Sequence, residues 1–498
     1  MLRTSVLCGI LSLLSAGGAW TQDLDFHSSN ASLNESFRWA KGQALHYVRS
    51  NGSIGPWYEA ALPGRNAFCM RDVSHQTEGA AALGLSDANR NMLHRFAESA
   101  AASRDWAAYW EIDGDGNASA FDYKSDADFW FTLPANFDVL DAATRMWRWT
   151  GDDFYRSDPA FQSFYRQTLT HYIAQWQLEP DAIPTRTRIA NQHQPKGEFV
   201  NSRGIPSYVE GPSDFTFGTD LLAAEYRAMR SYKEIATGEQ NEELALRSQA
   251  TADEIQHMLE TVAWDAKHGH FYGSIRPDLT GYGSGDTLAL YFDAVKDPGH
   301  IRGALDYIAN PAYWSTINIE EETYVPLVLF RYARPDAAYR VLFDLTAPGK
   351  LRREYPEVSY SAIAAIVSGV MGIEPSHAGD DYDVQTLAQP PTKSDELSIS
   401  GLPIKANRLE IAHSGDRSTR LSNTSGPSIR WKAAFAGNHA QLLVNGHPVK
   451  ATPDRSRAGL QACFAIVIVK PGKTAVVSVE SSEPTTAAAQ SSPTTRTF

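Results

Sequence analysis

The sequence predicts a mainly α protein, an (α/α)6 barrel followed by a small C-terminal β-sandwich. Three observations lead there. Between residues 35 and 373, helical periodicity recurs in six pairs, each a polar-faced segment followed by a largely apolar one. A helix apolar all round must be enclosed by other helices, while an amphipathic one faces water, so six of each close into two concentric rings. From residue 397 the hydrophobic period changes from helical to two, which is the signature of strands. The chain has 498 residues, more than one ordinary core supports, and a barrel with a smaller domain fits that length.

Residues 1–22 read as a signal peptide. Arg3 supplies the positive charge, residues 6–14 a short apolar run, and residues 15–19 the small residues before a cleavage point. The run is too short to anchor in a bilayer, so the mature chain is expected to be soluble, secreted and extracellular, with no membrane partner. Sequons for N-glycans beginning at Asn30, Asn34, Asn51, Asn117 and Asn423 agree with export. Once Cys8 leaves with the signal, Cys69 and Cys463 remain, either as a disulfide between the two domains or as two buried thiols. The formal charge of −13 offers no basic surface for nucleic acid.

The barrel takes residues 23–373. Its outer and inner segments pair as 35–49 with 71–83, 87–103 with 129–150, and 155–176 with 214–237; then 241–264 with 286–295, 300–309 with 319–332, and 336–345 with 358–373. Turn chemistry supports these boundaries: TGDD follows Trp149, TGEQ follows Ala236 and RPD follows Ala333. The last inner segment, VSYSAIAAIVSGVMGI, carries Ala, Ser and Gly where helices must approach closely. A plain solenoid would show a repeat motif at fixed spacing, and the sequence has none. The loops entering the inner segments are long, 105–128 and 178–213 most of all. Long loops in a compact domain usually carry function, and these gather at one face of the ring.

Residues 374–396, rich in Pro, Asp and Ser, read as a linker. Residues 397–480 form the sandwich, with strand patterns RLEIAHSG, SIRWKAAFAG, QLLVNGHPV, FAIVIVKPG and TAVVSVE. Asn445-Gly446 and Pro471-Gly472 are hairpin turn signals. The tail 481–498 is rich in Ser, Thr and Ala and is expected to be disordered.

Every inner segment starts with polar residues at the loop-rich face. The first offers Arg71, Asp72 and His75. The loop before the second offers Trp110 and Glu111, then Trp130. The third offers Glu210 and Asp214, the fourth Asp286, the fifth Glu320, Glu321 and Glu322, and the sixth Glu357 and Tyr360. Acids cap helix starts and suit the helix dipole, which accounts for any one of them. It does not account for their convergence, since a closed ring aims all six starts into one funnel. Crowded carboxylates keep one proton near neutral pH, and glycoside cleavage needs one protonated and one ionised carboxyl group. Trp110 and Trp130 suit stacking on sugar faces, and Arg71, which keeps its charge, suits sugar hydroxyls or a uronate carboxylate. The run DGDGNASAFD spaces Asp113, Asp115 and Asn117 like a calcium loop. It lacks Gly at the sixth position and Glu at the twelfth, so an Asx-rich turn is the expectation and no cofactor is needed.

The segments FCMRDVSHQ, FWFTLPANFDVLDAATRMWRWTGD, GSGDTLAL, EEETYVPL and YPEVSYSAIAAIVSGVMGIEP resemble the six-hairpin glycosidase superfamily, most of all its α-L-rhamnosidase branch. The resemblance implies an inverting, exo-acting glycoside hydrolase acting on an oligo- or polysaccharide or glycoside, with rhamnose- or uronic-acid-type sugars as candidates. It implies an acid at Asp72, here in an Arg-Asp pair, and a base in the fifth inner segment at Glu321 or Glu322. Those two point about 100° apart on a helix, so one alone faces the funnel. Two other readings stand beside it: a uronate-directed polysaccharide lyase using a Tyr or His base (Tyr208, His193, Tyr282 or Tyr360), and a carbohydrate-binding protein without catalysis.

Overall fold

The computed structural model describes residues 23–50, 53–187, 199, 202–209, 214–454 and 460–480. The signal segment, the tail, His193, Glu210 and the sequon at Asn51 lie outside the described residues.

The twelve helical segments are present and close into two rings. The outer ring is formed by Ala31–His46, Ser86–Ser99, Pro159–Gln167, Glu242–Val262, Pro298–Ile308 and Pro335–Thr346. The third of these runs on through a wide π turn, Thr168–Tyr172, into Ile173–Trp176. The inner ring is formed by Met70–Ala82, Pro134–Thr150, Thr219–Gly238, Asp286–Tyr291, Val325–Arg331 and Pro356–Ala364. Each inner helix packs on the next, and the sixth returns to the first, which closes the ring. At that closure Gly79 faces the backbone carbonyl of Tyr360; an added Cβ would lie 2.1 Å from that oxygen. Among the described residues no helix is long and apolar enough to cross a membrane.

Helix ends depart from expectation where local chemistry intervenes. The first outer helix starts at Ala31 because Asn30 accepts from the Leu33 amide, and it ends at His46 because Val48–Arg49 pairs with Trp57–Tyr58. The second inner helix begins at Pro134 rather than 129, since Phe131–Thr132 pairs with Arg203–Ile205. The third begins at Thr219 rather than 214, after the short strand Phe217–Gly218. The fifth inner segment breaks into Ile319–Glu322 and Val325–Arg331 because Pro326 has no amide to return to Glu322.

The β-domain is a two-sheet sandwich larger than the sequence suggested. Its seven-stranded sheet includes Asp25–Ser28, which pairs antiparallel with Glu396–Ile404. Its five-stranded sheet includes Glu374–Pro375 and Val384–Thr386. The stretch 374–396 is therefore no plain linker, and the chain enters the sandwich before the ring begins. Asn445 and Gly446, with φ of 51° and 83°, turn a two-residue hairpin as expected. Pro471-Gly472 does not: Ala462–Val469 and Lys473–Val479 belong to different sheets, so this turn carries the chain across the sandwich. Asn423 is fully buried, its amide donating to the Pro427 and Val469 carbonyls, which excludes a glycan there. Cys69 and Cys463 are separate buried thiols.

The sandwich docks on the ends of the inner helices. Trp149 Nε1 donates to the Pro403 carbonyl (2.9 Å), and the Lys405 amide donates to the Trp149 carbonyl (2.6 Å). Gln389 Nε2 donates to the Phe330 and Gly369 carbonyls. The sandwich thus covers part of one end of the barrel and leaves the helix starts open at the other.

Candidate active site

At the open end lies a cavity of about 720 Å³. The strand Ala67–Cys69 pairs with Glu111–Asp113 and carries the chain directly into the first inner helix, whose Met70 amide donates to the Trp110 carbonyl. This brings Arg71, Asp72, Trp110 and Glu111 to one wall. Trp130 meets Trp110 edge-on, with centroids 4.5 Å apart. The fifth segment adds Glu320 and Glu321, the sixth Glu357.

Asp72 and Glu357 stand side by side in the wall, close enough for a proton to lie between them. Burial, then the neighbouring Glu357, pushes Asp72 well above the usual carboxylate range. Burial likewise raises Glu357, to about 7. Glu321 stands on another helix. Its Oε1 accepts from the Tyr313 hydroxyl (2.8 Å), and burial raises it, opposed by that hydrogen bond and by Arg71. The site thus holds a close carboxyl pair with raised proton affinity on one wall and a separate carboxyl group on another.

Both members of the pair are raised above their unfolded values, so they bind protons more tightly folded than unfolded. Their stabilising contribution is complete below the ordinary carboxylate range and is lost as pH rises toward and past neutrality. Asp72→Asn should therefore raise the melting temperature at pH 8 and leave it nearly unchanged at pH 4. An equal shift at both pH values would show that the pair is not proton-linked.

Arg71 keeps its charge over the Tyr208 ring, 4.5 Å from the centroid, and is hydrogen-bonded to Tyr324. Tyr208 in turn donates to Asp138, which burial pushes up to about 8. The Tyr208 amide donates to Asp220, which also accepts from Ser207 Oγ. Arg65 bridges Glu111 (3.0 Å) and Asp122 (3.3 Å) at the rim.

Several expected residues have other tasks. Glu322 faces away from the cavity, buried and ion-paired to Lys350 (2.6 Å). His75 lies beneath the wall, stacked on Tyr324 at 3.6 Å and bonded to Thr323; burial, then Arg145, holds it neutral. It supports the tyrosine that holds Arg71. Asp286 is fully buried and accepts from the Phe271 amide and Ser284 Oγ, so it ties a loop to the fourth helix. Asp214 is exposed, bonded to Arg276 and Tyr282. Tyr360 donates to the Ala44 carbonyl inside the helix packing. Asp113 Oδ1 accepts from the amides of Asp115 and Asn117, an Asx turn in which one of the proposed calcium-ligating oxygens already serves the backbone.

The cavity also includes Arg65, Asp122, Asp220 and Arg352, which sequence reasoning did not single out. Asp220 was within reach: it is the first-turn acid of the third inner helix once that helix is started at Thr219. The others stand in irregular loops and have no periodic signal.

No protein-family model and no curated protein matches the sequence. Among solved structures, the chain is similar to an α-L-rhamnosidase from Dictyoglumus thermophilum, at 12% identity and a TM-score of 0.59, over 92% of this chain and 50% of that one. It is also similar to a rhamnosidase from a Bacillus species (13% identity, TM-score 0.54, 81% and 40% of the two chains). A third is an α-L-rhamnosidase from Aspergillus terreus (14% identity, TM-score 0.52, 91% and 51%). The chain spans between two fifths and about half of the length of these proteins. The likeness is one of fold, and that fold is the six-hairpin ring with its β-domain.

Proposed function

We propose that the protein is an exo-acting glycoside hydrolase that removes a neutral sugar of the rhamnose type from a glycoside or oligosaccharide. The observation that carries this reading is the meeting of Asp72, Glu357 and Glu321 in one cavity at the helix starts. Asp72, sharing its proton with Glu357, gives that proton to the leaving oxygen. Glu321, ionised, takes a proton from the attacking water. Asp72 and Glu357 touch each other, so they leave no room for a sugar between them and act as one acid. The inverting outcome is what the family resemblance implies. Trp110 and Trp130 supply ring faces for the sugar, and Arg71 binds a hydroxyl.

Seven carboxylates line the cavity against three arginines. Arg65 already bridges two of the acids, and Arg71 lies over Tyr208. That balance favours a neutral sugar over a uronate. It also weighs against a lyase, as does Tyr208, whose hydroxyl is raised far above its ordinary value by burial and by Asp138, the wrong direction for a base. The leader-like residues 1–22 support export, which N-terminal sequencing of the secreted chain would test.

The decisive experiment is a screen of the purified chain against aryl rhamnosides, glucosides, galactosides and glucuronides, with Asp72→Asn as control. Release of a neutral sugar, lost in Asp72→Asn, supports the reading. Sugar binding that Asp72→Asn leaves intact, with no turnover by either protein, would favour the non-catalytic alternative. The pH profile supplies a second test. Hydrolysis requires Glu321 ionised and the Asp72–Glu357 pair protonated, so kcat/KM should fall on the alkaline side near or above neutrality. Glu357 raises Asp72, so Glu357→Gln should move that limb toward lower pH. A limb that stays in place would remove Glu357 from the proton-sharing role.

A further inference from the structure

A second cavity, of about 670 Å³, lies at the other end of the ring, where the inner helices stop and the sandwich docks. Seven Arg and Lys side chains line it against five carboxylates, a local excess in a chain whose formal charge is −13. Its floor is balanced internally. Arg145 bonds Glu78 and Asp141, Arg331 bonds Glu78, and Arg148 grips Glu234 through Nε and Nη2. These arginines also sit near helix C-termini, whose carbonyls favour cations.

The wall is not balanced in that way. The third inner helix, Thr219–Gly238, presents Arg227, Arg230 and Lys233 to the cavity at three-residue spacing, so the three form one stripe. Among the described residues Arg227 bonds through Nε alone, to Asp141. Lys233 meets the neutral Gln249. Arg230 is half-buried and has no hydrogen bond or ion pair among the described residues. Lys296 is exposed and paired with Asp293 (3.1 Å). The space is larger than a bare oxyanion fills, and Trp149, Tyr291 and Tyr332 are among the residues that line it.

We propose that this cavity binds a small organic phosphate or sulfate, its tetrahedral anionic group held by Arg227, Arg230 and Lys233. Arginine forks and a lysine point charge on one stripe match the oxygens of such a group. The site stands apart from the acidic cavity at the helix starts, and the proposal is independent of the catalytic reading.

The test is calorimetric titration of the full chain with glucose 6-phosphate, inorganic phosphate and glucose at constant ionic strength. Glucose 6-phosphate should bind, more tightly than inorganic phosphate, and glucose should not bind at this cavity. The Arg230→Ala/Lys233→Ala double variant should weaken glucose 6-phosphate at least about tenfold, and Arg230→Glu should abolish its binding. Both positions are half-buried on the cavity wall, so thermal melts in chloride should match the native chain. Added salt should weaken binding in the native chain as well, a check that needs no variant. Binding unchanged in the double variant, equal affinity for inorganic phosphate, or no heat above the ionic-strength control would overturn the proposal.

Discussion

Exchanging Glu321 for Gln should lower kcat/KM for glycoside hydrolysis by about 10³-fold, the loss typical of a missing general base. The same exchange at Glu322 should leave kcat/KM within about threefold. The two residues are adjacent and chemically identical, so composition and charge predict equal effects. The structure separates them: Glu321 lines the cavity and accepts from Tyr313, while Glu322 is 2% exposed and holds Lys350. The cost of Glu322→Gln falls on stability, because Lys350 loses one of its two carboxylate partners, the other being Asp344. Steady-state kinetics on both variants, with thermal melts alongside, would decide this. If Glu322→Gln lost the activity and Glu321→Gln kept it, the assignment of the base would be reversed. If both kept it, the base would have to be sought at Glu320, which shares the cavity.

Gly79→Ala should cost about 3 kcal/mol, because a methyl group has no room where the first and sixth inner helices meet. The added Cβ would fall 2.1 Å from the Tyr360 carbonyl oxygen and 2.8 Å from its carbon, and backbone cannot rotate away as a side chain can. Relief requires the two helices to part, and that opens the ring at its closing seam. Asp72 and Glu357 sit at the starts of those same helices, so the pair should separate and activity should fall with stability. Gly42→Ala is the matched comparison. It lies inside the first outer helix with nothing within 4 Å of its added methyl, so it should stabilise by about 0.5–1 kcal/mol. Denaturant titrations of the two variants should move in opposite directions. A neutral Gly79→Ala would mean that the two helices can part at this seam without cost.

Much of this architecture was legible from local pattern. Six buried segments, six polar-faced ones and a switch to period two gave the ring and the sandwich, because burial of an apolar face is decided by side chains close in sequence. The Ala, Ser and Gly of the last inner segment signalled close approach, but not that its partner is Gly79. That pairing joins positions almost three hundred residues apart, and only ring closure creates it. Boundaries slipped where strands of two or three residues displaced a helix start. At Thr219 this changed which acid enters the site, Asp220 rather than Asp214. Arg65 and Arg352 belong to loops whose course depends on what they pack against, and no spacing rule reaches them.

The sequence by itself determined the fold class, the sense in which the helix starts converge, and the kind of chemistry crowded carboxylates can do. Each of these follows from periodicity and charge within a few turns of chain. The tertiary structure alone decided that Asp72 stands beside Glu357, that Glu321 rather than Glu322 faces the cavity, and that Asp25–Ser28 belongs to the sandwich. These are contacts between distant segments, set by how rigid helices settle against one another, and a side chain's facing or proton affinity is fixed only once its neighbours and its distance from water are fixed.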